Sequence, residues 1–136
     1  MDTDKKIKTT MDAEKEFLYK DLTKEILDSA FKVHNALGCG LLEKIYGNAL
    51  VWDLELKKLR TVSQQVFKVF YREKEVGLYY ADLVVKDKVI VEVKSVEKID
   101  DIHRAQLLNY LRISGLRVGL LINFARPRVE YERLVV

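Results

Sequence analysis

The sequence predicts an α/β domain, a mixed sheet flanked by helices. Apolar residues recur every three or four positions over residues 22–37, 42–59 and 99–114, the spacing of a helix that buries one face. Runs dense in Val, Ile, Phe and Tyr cover residues 62–71, 76–85, 89–94 and 118–124, the length and composition of strands. The resulting order, α-α-β-β-β-α-β-β, sets long strands between helices, and such strands bury their faces in a layered α/β sandwich.

Each element has its own signals. Residues 1–20 read as a flexible polar tail, with mixed charge and few large apolar side chains, and residues 21–136 as a single domain. In the first helix Leu22, Ile26, Ala30, Val33 and Leu37 form the apolar stripe. Asp21 or Thr23 is placed to cap its start, and Gly38 to end it. The loop Gly38–Cys39–Gly40 follows. The second helix then carries Leu42, Ile45, Ala49, Trp52, Leu56 and Leu59 at the same spacing. In the strand of residues 62–71, Val66, Lys68 and Phe70 alternate with Phe67, Val69 and Tyr71, and Lys86, Asp87 and Lys88 form the turn between the next two strands. Gly115 stops the third helix. Pro127 interrupts the chain before a short edge strand over residues 129–135.

Composition sets the bounds. A chain of 136 residues, 49% of them hydrophobic, suits one domain with a real core. Its net charge of +3 permits a nucleic-acid partner without arguing for one. The single cysteine, Cys39, excludes an internal disulfide, and with only two histidines a structural zinc site is not expected. No apolar run approaches the roughly 18 residues of a membrane span. The opening MDTDKKIKTT lacks the apolar stretch of a signal peptide, so a cytoplasmic protein is expected.

The segment YYADLVVKDKVIVEVKS, residues 79–95, does not fit a plain buried strand. Glu92 and Lys94 share a strand face, while Val91 and Val93 point the other way, into the core. A three-residue turn pairs Val85 with Val89, and counting back sets Asp82 opposite Glu92. Side chains so placed have Cβ atoms about 4.5–5.5 Å apart, and like charges there destabilise. A divalent cation is the simplest reason to bring two carboxylates together, and hard ions such as Mg²⁺ take oxygen ligands. Lys94 beside them can orient a water or steady developing charge. On these residues alone a solvent-facing sheet is the more frequent arrangement. Three other features count against it together: Glu43 at the start of the second helix, Tyr46 one turn on, and a polar stripe of His103, Gln106 and Tyr110 on the third.

Asp82, followed ten residues later by Glu92-Val93-Lys94, resembles the signature of the PD-(D/E)XK nuclease superfamily. Gly40-Leu41-Leu42-Glu43-Lys44-Ile45-Tyr46 resembles the GxxExxY motif, which names a family of small bacterial and archaeal proteins in that superfamily. The phrases ADLVV, IVEVKSVEKI, AQLLNYLR and GLLINF resemble that family's other blocks in the same order. The resemblance implies a restriction-endonuclease-like α-β-β-β-α-β core. It implies Asp82, Glu92 and Glu43 as metal ligands for Mg²⁺ or Mn²⁺ and Lys94 as the catalytic lysine. Gln106 and Tyr110 would be a QxxxY pair on the following helix. Ala81 stands where the superfamily name has proline, and Cys39 where relatives usually have one; neither departure removes a functional group.

The leading expectation is a metal-dependent nuclease acting on DNA or RNA. The alternative is a nucleic-acid-binding or assembly module that keeps the fold without efficient cleavage, and a third is a phosphoryl hydrolase with a small substrate. No membrane association is expected. A homodimer through the Tyr and Phe residues of 66–71 and the strand of 129–135 is a further expectation.

Overall fold

The computed structural model describes residues 13–136; most of the expected tail lies outside the described residues. Helix α1 (Lys20–Leu37) is followed by α2 (Glu43–Leu56), strands β1 (Thr61–Tyr71), β2 (Lys74–Val85) and β3 (Val89–Lys94), helix α3 (Asp101–Ser114), and strands β4 (Val118–Asn123) and β5 (Glu130–Val135). The order is the expected one. The five strands form one sheet in the order β1-β2-β3-β4-β5. Only β3 and β4 run parallel, joined through α3; the other neighbours are antiparallel.

Both sheet faces are covered, giving three layers. On one face α1 and α2 pack Ile26, Ala30, Tyr46, Leu50 and Leu54 against Leu83, Val85, Val91, Val93, Leu120 and Ile122. On the other, α3 packs Leu107 and Leu111 against Val84, Ile90 and Leu121. A Cβ on Gly119 of β4 would stand 2.8 Å from a Leu107 methyl, so this glycine is what lets α3 approach the sheet so closely. The last turn of the tail is also held: Arg133 Nη2 donates to the carbonyl of Lys15 (3.0 Å) and to that of Leu18.

Two local expectations are corrected. Neither Asp21 nor Thr23 caps α1; its N-cap is Tyr19 in a left-handed conformation, and the Thr23 hydroxyl donates back to the Tyr19 carbonyl at 2.9 Å. Gly38, at φ 74°, does end the helix. In α2 most of the expected stripe faces outward, with Leu42 at 73% and Trp52 at 66% exposure, while its Ala49 and Leu59 do pack against the core. The buried face is Tyr46, Leu50 and Leu54. Both stripes keep helical spacing, and Tyr46 decides between them. Its ring stacks on Phe124 (4.6 Å, 8°), its hydroxyl donates to the Gly38 carbonyl at 2.5 Å, and it accepts the Leu41 N–H at 3.2 Å. The glycine loop is thereby tied under the helix that follows it.

Candidate active site

Strands β2 and β3 pair regularly only near their turn, through Val85↔Val89, Val84↔Ile90 and Leu83↔Val91. One step further stand Asp82 and Glu92, opposite each other as the turn implies but not a ladder pair. Here the strands part, and each acid reaches across the gap. The Asp82 N–H donates to Glu92 Oε2 at 3.0 Å, and the Val93 N–H donates to Asp82 Oδ2 at 2.9 Å. Two amide groups that the parting would orphan are satisfied by the carboxylates.

Strand β1 is disturbed at the same level. Gln64 has φ 55°, and the β1–β2 ladder passes from Ser63↔Leu83 to Gln65↔Ala81 without pairing Gln64 with Asp82. The strands also change face here: Phe67, Val69, Tyr79 and Ala81 belong to the α3 side, whereas Leu83 and Val85 belong to the α1–α2 side. Glutamine in this left-handed region is strained, by roughly 1 kcal/mol or more, and such strain clusters at functional sites.

Glu92 is only 6% exposed, which removes the solvent-facing arrangement for it. The Tyr79 hydroxyl donates to Glu92 Oε1 at 3.2 Å, and Tyr110 of α3 stacks on Tyr79 at 3.7 Å and 16°. Burial, then the neighbouring Asp82 charge, pushes the Glu92 carboxyl up to about 7; the bonds from Asp82 and Tyr79 and the Lys94 charge oppose this. Burial also raises Asp82, against the Val93 N–H, the Lys94 charge and the Gln64 amide. The Tyr79 and Tyr110 hydroxyls are raised, first by burial and then by the Glu92 charge.

Glu43 opens α2, where the helix N-terminus favours a carboxylate. Its Oε2 accepts the N–H of Ser95 at 2.8 Å, pinning the chain just past Lys94. Asn123 holds the same loop from β4: Oδ1 accepts the Val96 N–H at 3.0 Å, and Nδ2 donates to the Val96 carbonyl at 2.8 Å. A cleft of about 420 Å³ opens between α2 and the parted strands, lined by Glu43, Lys44, Asn48, Gln64 and Asp82 among others. Glu92 joins this cleft through Asp82 rather than lining it. Lys94 is half-buried at the end of β3, its charge felt by both acids. The α3 stripe divides. His103 is taken up by a capping box with Asp100, Tyr110 packs over Tyr79, and Gln106 is exposed with no hydrogen bond to a described residue.

Sequence reasoning missed Gln64, Tyr79 and Asn123. Strict alternation sets Tyr79 on the face opposite Asp82 and Glu92, and only the change of face at Gln64 brings it to Glu92. Asn123 did carry a signal, a lone amide closing an apolar strand. Among the described residues no three His, Cys, Asp or Glu side chains are placed to hold a metal ion together. The Asp82–Glu92 pair still fits a hard divalent cation. It is all-oxygen, doubly acidic and desolvated, and Mg²⁺ is commonly bound by one or two carboxylates with waters and substrate phosphates.

An interlocked acid pair on the second and third strands of a helix-flanked mixed sheet, with a lysine two residues beyond, defines a nuclease-like α/β domain of restriction-endonuclease type. The chain belongs to the PD-(D/E)XK nuclease superfamily, whose family profile matches residues 20–134. It is also similar to the crystal structure of SSO0001, with a TM-score of 0.53 over 86% of this chain and 59% of that one, at 19% identity. At that identity the likeness concerns the fold, and the chain spans less than two thirds of that protein's length. No curated protein matches the chain. Among the described residues no helix is long and apolar enough to cross a membrane.

Proposed function

We propose that this protein is a divalent-metal-dependent nuclease that hydrolyses phosphodiester bonds of DNA or RNA, and that it belongs to the GxxExxY group of its superfamily. The observation that carries the reading is Glu92, an acid buried beside a second acid at a strand fork that opens on a cleft. Desolvation and like charge both penalise its ionised form, and functional sites keep such penalties. The GxxExxY assignment is supported by the motif's parts: Glu43 pins the chain after Lys94, and Tyr46 ties the loop that positions Glu43.

Asp82 and Glu92 would hold the cation, Mg²⁺ or Mn²⁺, while Glu43 lines the same cleft from the start of α2 and would join them only by releasing the Ser95 N–H. When bound, the ion supplies Lewis acidity toward the phosphate and lowers the pKa of a coordinated water. Lys94 contributes a positive charge and N–H donors where negative charge develops on the phosphate. From α3, Tyr110 stacks behind the Tyr79 that bonds Glu92, and Gln106, exposed one turn earlier, would contact substrate.

The test is incubation of purified protein with Mg²⁺ or Mn²⁺ and single- and double-stranded DNA and RNA. Cleavage that EDTA abolishes and Lys94→Ala lowers by roughly 10²–10³ is the expected result. If Mn²⁺ binds but every substrate stays intact, the nuclease reading fails and the protein is a binding or assembly module on a nuclease fold.

A further inference from the structure

Beyond the Gln64–Asp82 joint, β1 and β2 continue as a two-stranded arm with unlike faces. One face carries Phe67, Val69 and Tyr79, packed on the α3 side. The other carries Val66, Lys68, Phe70, Leu78 and Tyr80, with Val66 paired to Tyr80 and Lys68 to Leu78. All five are exposed, Phe70 at 60% and Tyr80 at 51%. A contiguous apolar surface of this kind marks an interaction site.

This face runs directly into the cleft. Tyr80 stands two residues from Asp82 along β2, and Val66 two from Gln64 along β1, roughly 7 Å in each strand. From the Val66–Tyr80 pair to Phe70 is four residues, roughly 13 Å, enough to separate two different bases.

Its chemistry selects the occupant. The face has one acid, Glu75, which pairs with Phe70 at the end away from the cleft. Lys68 sits amid Val66, Phe70, Leu78 and Tyr80, Lys44 lines the cleft at one end, and Arg72 lies in the turn at the other. A polynucleotide supplies both complements, ring faces for Tyr80 and Phe70 and phosphates for the amines. Bases inside a duplex have no free ring face, so the strand must be unpaired.

We propose that this arm face is a platform for single-stranded nucleic acid and leads the strand to the Asp82 cleft. The proposal builds on the nuclease reading for the strand's destination, while strand binding itself is independent of cleavage.

Fluorescence anisotropy in EDTA, with labelled dT and rU oligomers of about 20 nucleotides and a duplex of equal length, tests it without catalysis. Single strands should bind more tightly than duplex. Tyr80→Ala and Phe70→Ala should each weaken single-strand binding by about 10-fold, with Tyr80→Phe near wild type. Lys68→Ala should reduce the slope of log affinity against log salt by about 0.7. These side chains are exposed, so thermal midpoints should hold and any loss is one of binding. Equal affinity for single strand and duplex, or wild-type affinity in both ring variants, overturns the platform even if the protein cuts nucleic acid. Ring-dependent binding with no cleavage under Mn²⁺ upholds the platform and sinks the nuclease reading. Sedimentation velocity supplies the remaining arm: if Tyr80→Ala dissolves a dimer and leaves strand affinity unchanged, the face is a contact between copies and the proposal falls.

Discussion

Two buried polar side chains stand on neighbouring parallel strands, and the fold treats them differently. In the β3–β4 ladder Glu92 pairs with Leu121 and Lys94 with Asn123. Asn123 is fully enclosed, yet both its polar atoms are occupied: Oδ1 accepts from Val96 and Ala125, and Nδ2 donates to Val96. It is neutral and so carries no charge-desolvation penalty. Glu92 accepts from Asp82 and Tyr79, but it is an acid, buried beside another acid, and its charged form is penalised. A neutral amide with its bonds made serves the loop it holds, here the loop after Lys94. An acid held against desolvation weakens the metal-free fold at neutral pH, and such groups gather at functional sites.

The sharpest way to break this comparison is to separate activity from stability. Lys94→Ala should lower kcat/KM by roughly 10²–10³, the cost of one preorganised donor. It should leave the urea midpoint near wild type, because Lys94 is only half-buried. Asn123→Ala should do the reverse. It orphans backbone groups of Val96 and Ala125, which at about 1 kcal/mol or more each amounts to roughly 3 kcal/mol. Chemical denaturation reads that loss directly. If Asn123→Ala were neutral in stability, its hydrogen bonds would not be what holds the loop.

Next in size is Glu92→Gln in metal-free buffer. The folded carboxyl titrates at about 7 against an ordinary 4.5, so the folded state binds this proton more tightly than the unfolded state does. Stability from that proton is fully present below pH 4.5 and is lost as pH rises through 7. Glutamine stays neutral throughout. The variant should therefore be more stable than wild type at pH 8, by roughly 3 kcal/mol at most, with the difference shrinking toward pH 4.5. The same change should weaken Mn²⁺ binding, read by water-proton relaxation. Destabilisation at pH 8 would make ionised Glu92 a structural partner of the Asn123 kind.

What the sequence disclosed follows from which features are local. The turn Lys86–Asp87–Lys88 sets Val85 on Val89, and from there Asp82 and Glu92 are reached by counting. The wrong face of α2 has an equally plain cause. Leu42, Ile45, Trp52 and Leu56 keep helical spacing as well as Tyr46, Leu50 and Leu54 do, and period alone cannot rank two apolar stripes. The choice rests on Tyr46 meeting Phe124, 78 residues away in the chain. Gln64 was invisible for another reason. A left-handed residue other than glycine leaves no compositional trace, and its effect, the change of strand face, spreads to every residue counted across it. Gln106 keeps the spacing of the α3 stripe, but only Tyr110 of that stripe reaches the Tyr79 stack, and His103 is spent on the cap.

The smallest expected effect bears on how much of Glu92's state is owed to one neighbour. The Tyr79 hydroxyl donates to Glu92 Oε1 over 3.2 Å, a long bond for an O–H donor, and it favours the carboxylate. Tyr79→Phe removes only that donor. The ring keeps its stack on Tyr110 (3.7 Å, 16°) and its contact with Phe67 (6.0 Å, 19°), so the thermal midpoint should move by no more than a few degrees. Without the donor the carboxylate is poorer in partners, and Glu92 should titrate higher still. A long bond to a charged group lies near the bottom of the roughly 1.5–3 kcal/mol range, so an upward shift of about one pH unit is the most to expect. Side-chain carbon NMR of Glu92 across pH, assigned by its absence in Glu92→Gln, measures it. Mn²⁺ affinity at pH 7 should fall a few-fold in step, because more of the protein holds Glu92 protonated. An unchanged titration would show that Tyr79 is only a wall, and that burial and Asp82 alone set the acid apart from Asn123.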